Sequence, residues 1–164
     1  MASFADHLPR LRRYARALTG DRHAADDLVQ DTLERGWAKF SLWRPGSRLD
    51  AWLLTIMHNL FVNQYRSRPP TAESLDELYV EPSMRASQAD RLEVRDIDVA
   101  LAQLPPAQRE VLLLVTLEEY SYAETAQLLG VPIGTVMSRL ARGREKLRAL
   151  LDEGTGQARL RVVK

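Results

Sequence analysis

The sequence predicts an all-α protein built from two small helical domains that a flexible acidic linker joins. Apolar residues recur at spacings of three and four along most of the chain, and the alternation typical of a half-buried strand appears nowhere. Prolines, serines and glutamates interrupt this period over 67–89, which is typical of a linker. The chain has 164 residues, which is enough for two small domains of this kind.

The distribution of charge supports this division, although the net charge of the whole chain is only +1. Residues 1–70 hold 11 Lys and Arg against 7 Asp and Glu, residues 71–104 hold 3 against 8, and residues 105–164 hold 9 against 7. Two basic segments therefore flank an acidic one. We expect two units that bind an anion, separated by a segment that does not bind it.

Each predicted helix is recognised from an apolar stripe and from signals at its ends. Ser47 with Asp50 has the spacing of a capping pair, and Ser121 with Glu124 has that of a capping box. Gly130 follows the last residue of a short helix, where a left-handed residue is common. The expected helices are about 5–19, 23–40, 48–66, 90–104, 107–118, 121–129 and 133–151.

Several classes of protein are excluded or disfavoured by composition. The chain has no cysteine, so disulfides, thiolate zinc sites and cysteine nucleophiles are excluded. The three histidines are far apart, and no glycine-rich phosphate loop or nucleophile motif is present. We therefore expect no metal, no cofactor and no enzymatic activity. No apolar run is long enough to span a membrane and the first residues lack a secretory core, so we expect a cytoplasmic protein without membrane insertion.

The C-terminal helices have the order of a helix-turn-helix: a short capped helix, a glycine turn and a basic helix. Residues 133–148 contain four Arg and one Lys against a single Glu. A basic helix face alone is usually only solvated, but with this helix and turn before it we predict binding in the major groove. The expected DNA-binding residues share one face: Thr135, Ser138, Arg139, Arg142 and Lys146.

Two polar faces in the N-terminal half are the other candidate sites. On the second helix Asp27, Gln30, Asp31 and Glu34 form an acidic stripe, which suits either a basic protein partner or water alone. The third helix and the loop before it combine amides, arginines and an aromatic ring, which suit unstacked bases. These residues are Trp43, Arg44, Arg48, Asn59, Asn63 and Arg66.

The tryptophans permit a plainer interpretation. Trp43 alone in its loop also suits a lid packed on the bundle. Trp37, Phe40 and Trp52 fall on the apolar stripes and are expected to point into the core.

Taken together, these segments resemble RNA polymerase sigma factors of the extracytoplasmic-function (ECF) type. Residues 27–40 (DLVQDTLERGWAKF) resemble the polymerase-binding helix of region 2.2, and residues 43–59 (WRPGSRLDAWLLTIMHN) are similar to the −10 recognition segment. Residues 104–111 (LPPAQREV), 122–130 (YAETAQLLG) and 134–144 (GTVMSRLARGR) are similar to region 4. The order and spacing of these motifs cover nearly the whole chain.

The resemblance implies a division of the chain and a role for each part. Residues 1–68 would be region 2, residues 69–89 the linker, residues 90–152 region 4, and residues 153–164 a C-terminal tail. The acidic stripe would dock on the clamp helices of the polymerase β′ subunit, and region 4 would lie against the β flap. The loop and third helix would bind the opened −10 strand of promoter DNA, with a base near Asn59 and Asn63, while the basic helix would read the −35 element. The linker would thread toward the polymerase interior, and an anti-sigma factor would be a further partner.

Three positions depart from the family's pattern. Met137 stands where many members have Lys or Arg, Ala141 where some have an aromatic residue, and Leu49 where an aromatic residue follows the glycine–serine loop. An ordinary helix-turn-helix regulator with an N-terminal interaction domain is the alternative. It would explain the C-terminal half and leave the acidic stripe and the Asn59 and Asn63 face without a role.

Overall fold

The computed structural model describes residues 3–67 and 89–162, with side chains described within 3–64 and 96–153. Every regular element in the described residues is helical, which confirms the predicted all-α class. The predicted linker, 69–89, lies outside the described residues except for Ala89. The helices are α1 (Phe4–Thr19), α2 (Arg22–Ala38), α3 (Leu49–Ser67), α4 (Ala89–Ala102), α5 (Pro106–Thr116), α6 (Tyr122–Leu129) and α7 (Ile133–Val162).

Helices α1 to α3 form the N-terminal bundle, and local signals set the ends of α1 and α2. Ser3 and Asp6 form a reciprocal capping box at the start of α1. Gly20 ends α1 in a left-handed conformation with φ of 70°. Asp21 then caps α2, because its carboxylate accepts a hydrogen bond of 3.1 Å from the Ala24 amide. The turn from α1 into α2 is therefore specified within a few residues.

The position of Trp37 differs from the sequence prediction, because α2 turns a glycine toward the core instead. The buried stripe of α2 ends at Gly36, where an added Cβ would lie 2.9 Å from Leu53 Cδ2 of α3. Leu53 is itself fully buried, so α2 and α3 can approach this closely only with glycine at that position. Trp37 is one residue further round the helix and is 75% exposed. Phe40 lies in a 3₁₀ turn after α2 and is 39% exposed, so placing both residues in the core was wrong.

Of two other predictions about this bundle, one is confirmed and one is wrong. Trp52 is half-buried and packs against the core, as expected. The prediction that Ser47 and Asp50 form a capping pair is wrong, because the Ser47 hydroxyl donates instead to the Arg44 carbonyl at 2.6 Å. The Asp50 carboxylate bonds to the side chains of Arg10, Arg48 and Tyr120.

The C-terminal half has the predicted helix-turn-helix. Ser121 and Glu124 form the expected capping box, with bonds of 3.1 and 3.0 Å, and Gly130 ends α6 with φ of 67°. Val136 and Leu140 of α7 are buried and pack in the core. Helix α7 continues to Val162, beyond the expected end at 151, so most of the predicted tail, 153–164, is helical.

The two halves share one hydrophobic core. Buried residues of α1, including Leu11 and Leu18, belong to the same cluster as Leu104, Val111 and Leu114 of the C-terminal half. Helix α1 contacts α4 and α5, and α3 contacts α6. The sequence predicted two domains, and the structure adds that they pack directly against each other.

A buried arginine connects the halves at the ends of two helices. Arg109 of α5 donates to the backbone carbonyls of Leu101, Ala102 and Leu104 at 2.8 to 2.9 Å, and to that of Leu18 at 2.5 Å. These carbonyls lie at or just after the C-terminal ends of α1 and α4, which carry partial negative charge. The guanidinium therefore stabilises both helix ends and joins them.

Replacing Arg109 by Met should lower the free energy of unfolding by about 3 kcal/mol, because charge-assisted bonds are lost while the aliphatic stem is kept. Urea denaturation followed by circular dichroism measures this change. Arg142→Met is the matched control, since Arg142 is exposed on α7 and should change stability by about 0.5 kcal/mol or less. Equal stability of the two variants would contradict the joining role of Arg109.

Candidate functional site

The acidic stripe on α2 (Asp27, Gln30, Asp31 and Glu34) is exposed, opposite the buried face of the helix. Gln30 Nε2 lies 3.4 Å from Glu34 Oε1, so these two residues interact within the stripe. Within the described residues Asp27 and Asp31 form no ion pair. The four residues therefore share one exposed face, and its carboxylates are accessible to a basic partner.

An apolar groove that the sequence did not predict lies beside the acidic stripe. It is lined by Phe4, Leu8, Leu33 and Trp37, encloses about 340 Å³ and borders Glu34. The ring of Phe4 meets that of Trp37 edge to face, with centroids 5.9 Å apart. A docking surface on α2 would therefore combine carboxylates with exposed apolar area. The sequence pattern placed Trp37 in the core and so did not predict this apolar area.

The loop before α3 is exposed over residues 44–48, but its tryptophan is not. Trp43 is half-buried, packs on the core and stacks on Phe40 with centroids 5.4 Å apart. This geometry favours the lid interpretation of Trp43. Arg44, Asn59 and Asn63 are exposed. The side chain of Arg66 lies outside the described residues.

Arg48 is the predicted −10 residue whose surroundings the sequence did not reveal. Its guanidinium bonds to Asp50 at 3.0 Å and to Glu124 of α6 at 2.7 Å. It also lies over the ring of Tyr120, 4.6 Å from the centroid. A residue expected to contact promoter DNA is thus bound to the helix-turn-helix half of the same chain.

Arg48 belongs to a polar interdomain cluster formed by Arg10, Arg48, Asp50, Glu118 and Tyr120. Asp50 accepts bonds of 2.7 Å from both Arg10 and the Tyr120 hydroxyl. Glu118 has a fully buried side chain that is ion-paired with Arg10, and its carbonyl accepts a further bond from Arg10 at 3.1 Å. The cluster connects α1 and α3 to the segment between α5 and α6, and it pairs both carboxylates with Arg10, which offsets part of the cost of burying them.

The protonation of the cluster follows from its contacts. Burial raises the pKa of the Asp50 carboxyl, but bonds from Tyr120 and Arg48 outweigh it, so the pKa lies below the ordinary value. Burial and the bond to Asp50 raise the pKa of Tyr120 above its ordinary value. At neutral pH Asp50 is therefore ionised and Tyr120 is a neutral donor. A separate bond of 2.6 Å between His58 and Glu110 connects α3 to α5.

The basic helix α7 presents the predicted DNA-binding residues to different degrees. Ser138, Arg142 and Lys146 are exposed, while Thr135 and Arg139 are half-buried. The Ser138 hydroxyl bonds to the Thr135 carbonyl at 3.1 Å. No described helix is long and apolar enough to span a membrane.

Comparisons with known proteins agree with this architecture. Residues 4–58 match the family model of the Sigma2 domain of PhyR, and residues 95–147 match Sigma-70, region 4. The chain is 43% identical to the ECF RNA polymerase sigma factor EcfG of Rhodopseudomonas palustris, over 88% of this chain and 80% of that protein.

Solved structures give the same result for the fold. The sigma factor RpoE from Bartonella quintana, solved with the anti-sigma factor NepR, is 38% identical with a TM-score of 0.75 and coverage of 90% and 93% of the two chains. CnrH, solved with the cytosolic domain of CnrY, is 31% identical with a TM-score of 0.66 and coverage of 91% and 84%.

Two helical halves that match sigma regions 2 and 4, in this order, define a transcription initiation factor. The chain belongs to the ECF RNA polymerase sigma factors. The resemblance seen in the sequence is confirmed, and the protein directs RNA polymerase to promoters.

Tyr120→Phe should weaken the contact between the halves, because it removes only the hydroxyl that bonds to Asp50. A loss of about 1–1.5 kcal/mol would make amides of α6 exchange with solvent roughly 5- to 13-fold faster through local opening. Hydrogen–deuterium exchange measures this rate. Tyr122→Phe, on an exposed ring of the same helix, is the control and should leave exchange unchanged. Unchanged exchange in both variants would show that the hydroxyl does not stabilise the contact.

Proposed function

We propose that the two halves carry out promoter-directed initiation through separate surfaces for polymerase and for promoter DNA. The acidic stripe binds the clamp helices of polymerase β′, and region 4 lies against the β flap. Arg44, Arg48, Asn59, Asn63 and Arg66 bind the opened −10 strand. Helix α7 reads the −35 element through Thr135, Ser138, Arg139, Arg142 and Lys146. The observation that carries this proposal is the exposure of a carboxylate face on α2 and a basic face on α7, in separate halves.

The compact arrangement is the form of the protein that is not bound to a promoter. The −10 and −35 elements are about 25 base pairs apart, or about 85 Å along the helix axis. In the structure Arg48 of the −10 surface is 2.7 Å from Glu124 of the helix-turn-helix. Both elements cannot be bound while this contact persists, so the halves separate when the protein engages polymerase and promoter.

This separation gives Arg48 two alternative anionic partners. In the compact form it binds Asp50 and Glu124, and in the promoter complex it binds the DNA backbone. Each half alone makes few contacts with DNA. Polymerase raises the effective concentration of each half at its own element and so favours the separated form.

An anti-sigma factor is the partner that stabilises the compact form. The support comes from relatives, since RpoE was solved with the anti-sigma factor NepR and CnrH with the cytosolic domain of CnrY. A partner that covers the acidic stripe and the apolar groove beside it would compete with polymerase for the same residues. The chain acts by binding and without catalysis, in the cytoplasm where polymerase and DNA are found.

The division of labour predicts opposite defects in two variants. Arg142→Ala should weaken −35 recognition about tenfold while polymerase binding is unchanged, because it removes one base or phosphate contact. Gln30→Ala with Asp31→Ala should weaken polymerase binding and leave the binding of region 4 to duplex DNA unchanged. Transcription in vitro with core enzyme, together with separate polymerase and DNA binding assays, measures each step.

The control variant is Asp152→Ala, an exposed acidic residue on α7 outside both surfaces, which should behave as wild type. Loss of the same activity to the same extent in both test variants would contradict separate surfaces. A chain that binds −35 DNA but never co-purifies with core polymerase would instead fit the ordinary helix-turn-helix regulator.

A further inference from the structure

Two large apolar side chains are exposed at the start of α7, where a recognition helix meets base edges. Ile133 is 49% exposed and Met137 is 52% exposed. They are four residues apart and therefore lie on one face, while Val136 and Leu140 point into the core. Neither exposed residue is used by the contacts described above.

The surroundings of this pair indicate an anionic partner. Residues 133–148 hold five basic residues against one acidic residue, and Arg144, seven residues after Met137, is exposed on the same face of α7. Gly134 lies between the two apolar residues, and an added Cβ would meet nothing within 4 Å, so a bulky ligand can approach the helix backbone here. Apolar contact within a basic face is expected where a helix enters the major groove, because thymine displays a 5-methyl group there.

The polar side chains at this end of the helix are poorly placed to supply all of the sequence discrimination. Thr135 and Arg139 are half-buried, and the Ser138 hydroxyl is bonded to a carbonyl of its own helix. Arg142 and Lys146 lie further along, about one and a half and two and a half turns beyond Met137. Met137 and Ile133 are therefore the most exposed large side chains in the first turns of α7.

We propose that Met137 and Ile133 determine part of the −35 sequence by packing against the 5-methyl groups of two thymines. This inference rests on the proposed role of α7. Side chains four residues apart on a helix have Cβ atoms about 5–6 Å apart, and base pairs rise about 3.4 Å. The two thymines therefore lie one or two base-pair steps apart. Met137 and Ile133 together give the start of α7 an exposed apolar surface within a basic segment.

The test uses holoenzyme, formed from the full chain and core polymerase, on a promoter selected from a library randomised at −35. Each thymine of the selected −35 duplex is replaced by deoxyuridine, which lacks only the methyl group. One or two replacements should each weaken the promoter complex about fourfold, equivalent to about 0.8 kcal/mol for one buried methyl. Met137→Ala should abolish the effect at one of these positions, and Ile133→Ala at the other.

Asp152→Ala, at an exposed position outside both proposed surfaces, is the control variant, since it should keep the full sensitivity to deoxyuridine. Because Met137 and Ile133 are exposed, their alanine variants should fold normally, and circular dichroism checks this. A specific −35 sequence that tolerates deoxyuridine at every position would overturn the inference while leaving the proposed function intact. So would undiminished sensitivity in both alanine variants. If no −35 sequence is enriched at all, the proposed role of α7 fails and the inference with it.

Discussion

The contact between Asp50 and its three partners is the interaction on which the compact form depends. Asp50 lies at the start of α3, and its carboxylate accepts bonds from Arg10 of α1, from Arg48 and from Tyr120 before α6. Together with the buried Glu118 it aligns both halves around one polar centre. An ionised carboxylate is costly to bury without partners. Removing any one member of the cluster would therefore leave a buried charge less well compensated. The shared apolar core around α1 then supplies the remaining contact.

A polar centre suits an interface that must separate during function. An apolar interface of the same size would expose only apolar surface on opening, whereas these charged groups can be solvated by water or, for Arg48, by DNA phosphates. The apolar part of the interface still opposes opening, so a partner is needed to offset it. Polymerase and promoter DNA supply that free energy when both halves bind at once. The same interface gives an inhibitory partner a conformation to stabilise.

The sequence predicted what local interactions specify. The capping box at Ser121 and the left-handed Gly130 depend on neighbours within four residues, and both are confirmed. The exposed faces of α2 and α7 followed from helical periodicity. The interdomain cluster could not be predicted, because two of the three partners of Asp50 come from positions 40 and 70 residues away. Trp37 was misplaced for a similar reason: whether Gly36 or Trp37 faces the core depends on how closely α2 approaches Leu53, which the pattern of one helix does not contain.

The separation of the two halves on promoter binding can be tested by measuring the distance between them with and without promoter. The chain has no cysteine, so Lys39→Cys and Glu153→Cys, both at exposed positions in different halves, allow specific spin labelling. Pulsed electron–electron double resonance should give one short distance between the two spin labels of the free chain. In the complex with core polymerase and promoter DNA the distance should increase by several tens of ångströms, as the spacing of about 85 Å between the two elements requires. The same distance in both states would contradict the account, because the compact form would then be the one that engages the promoter.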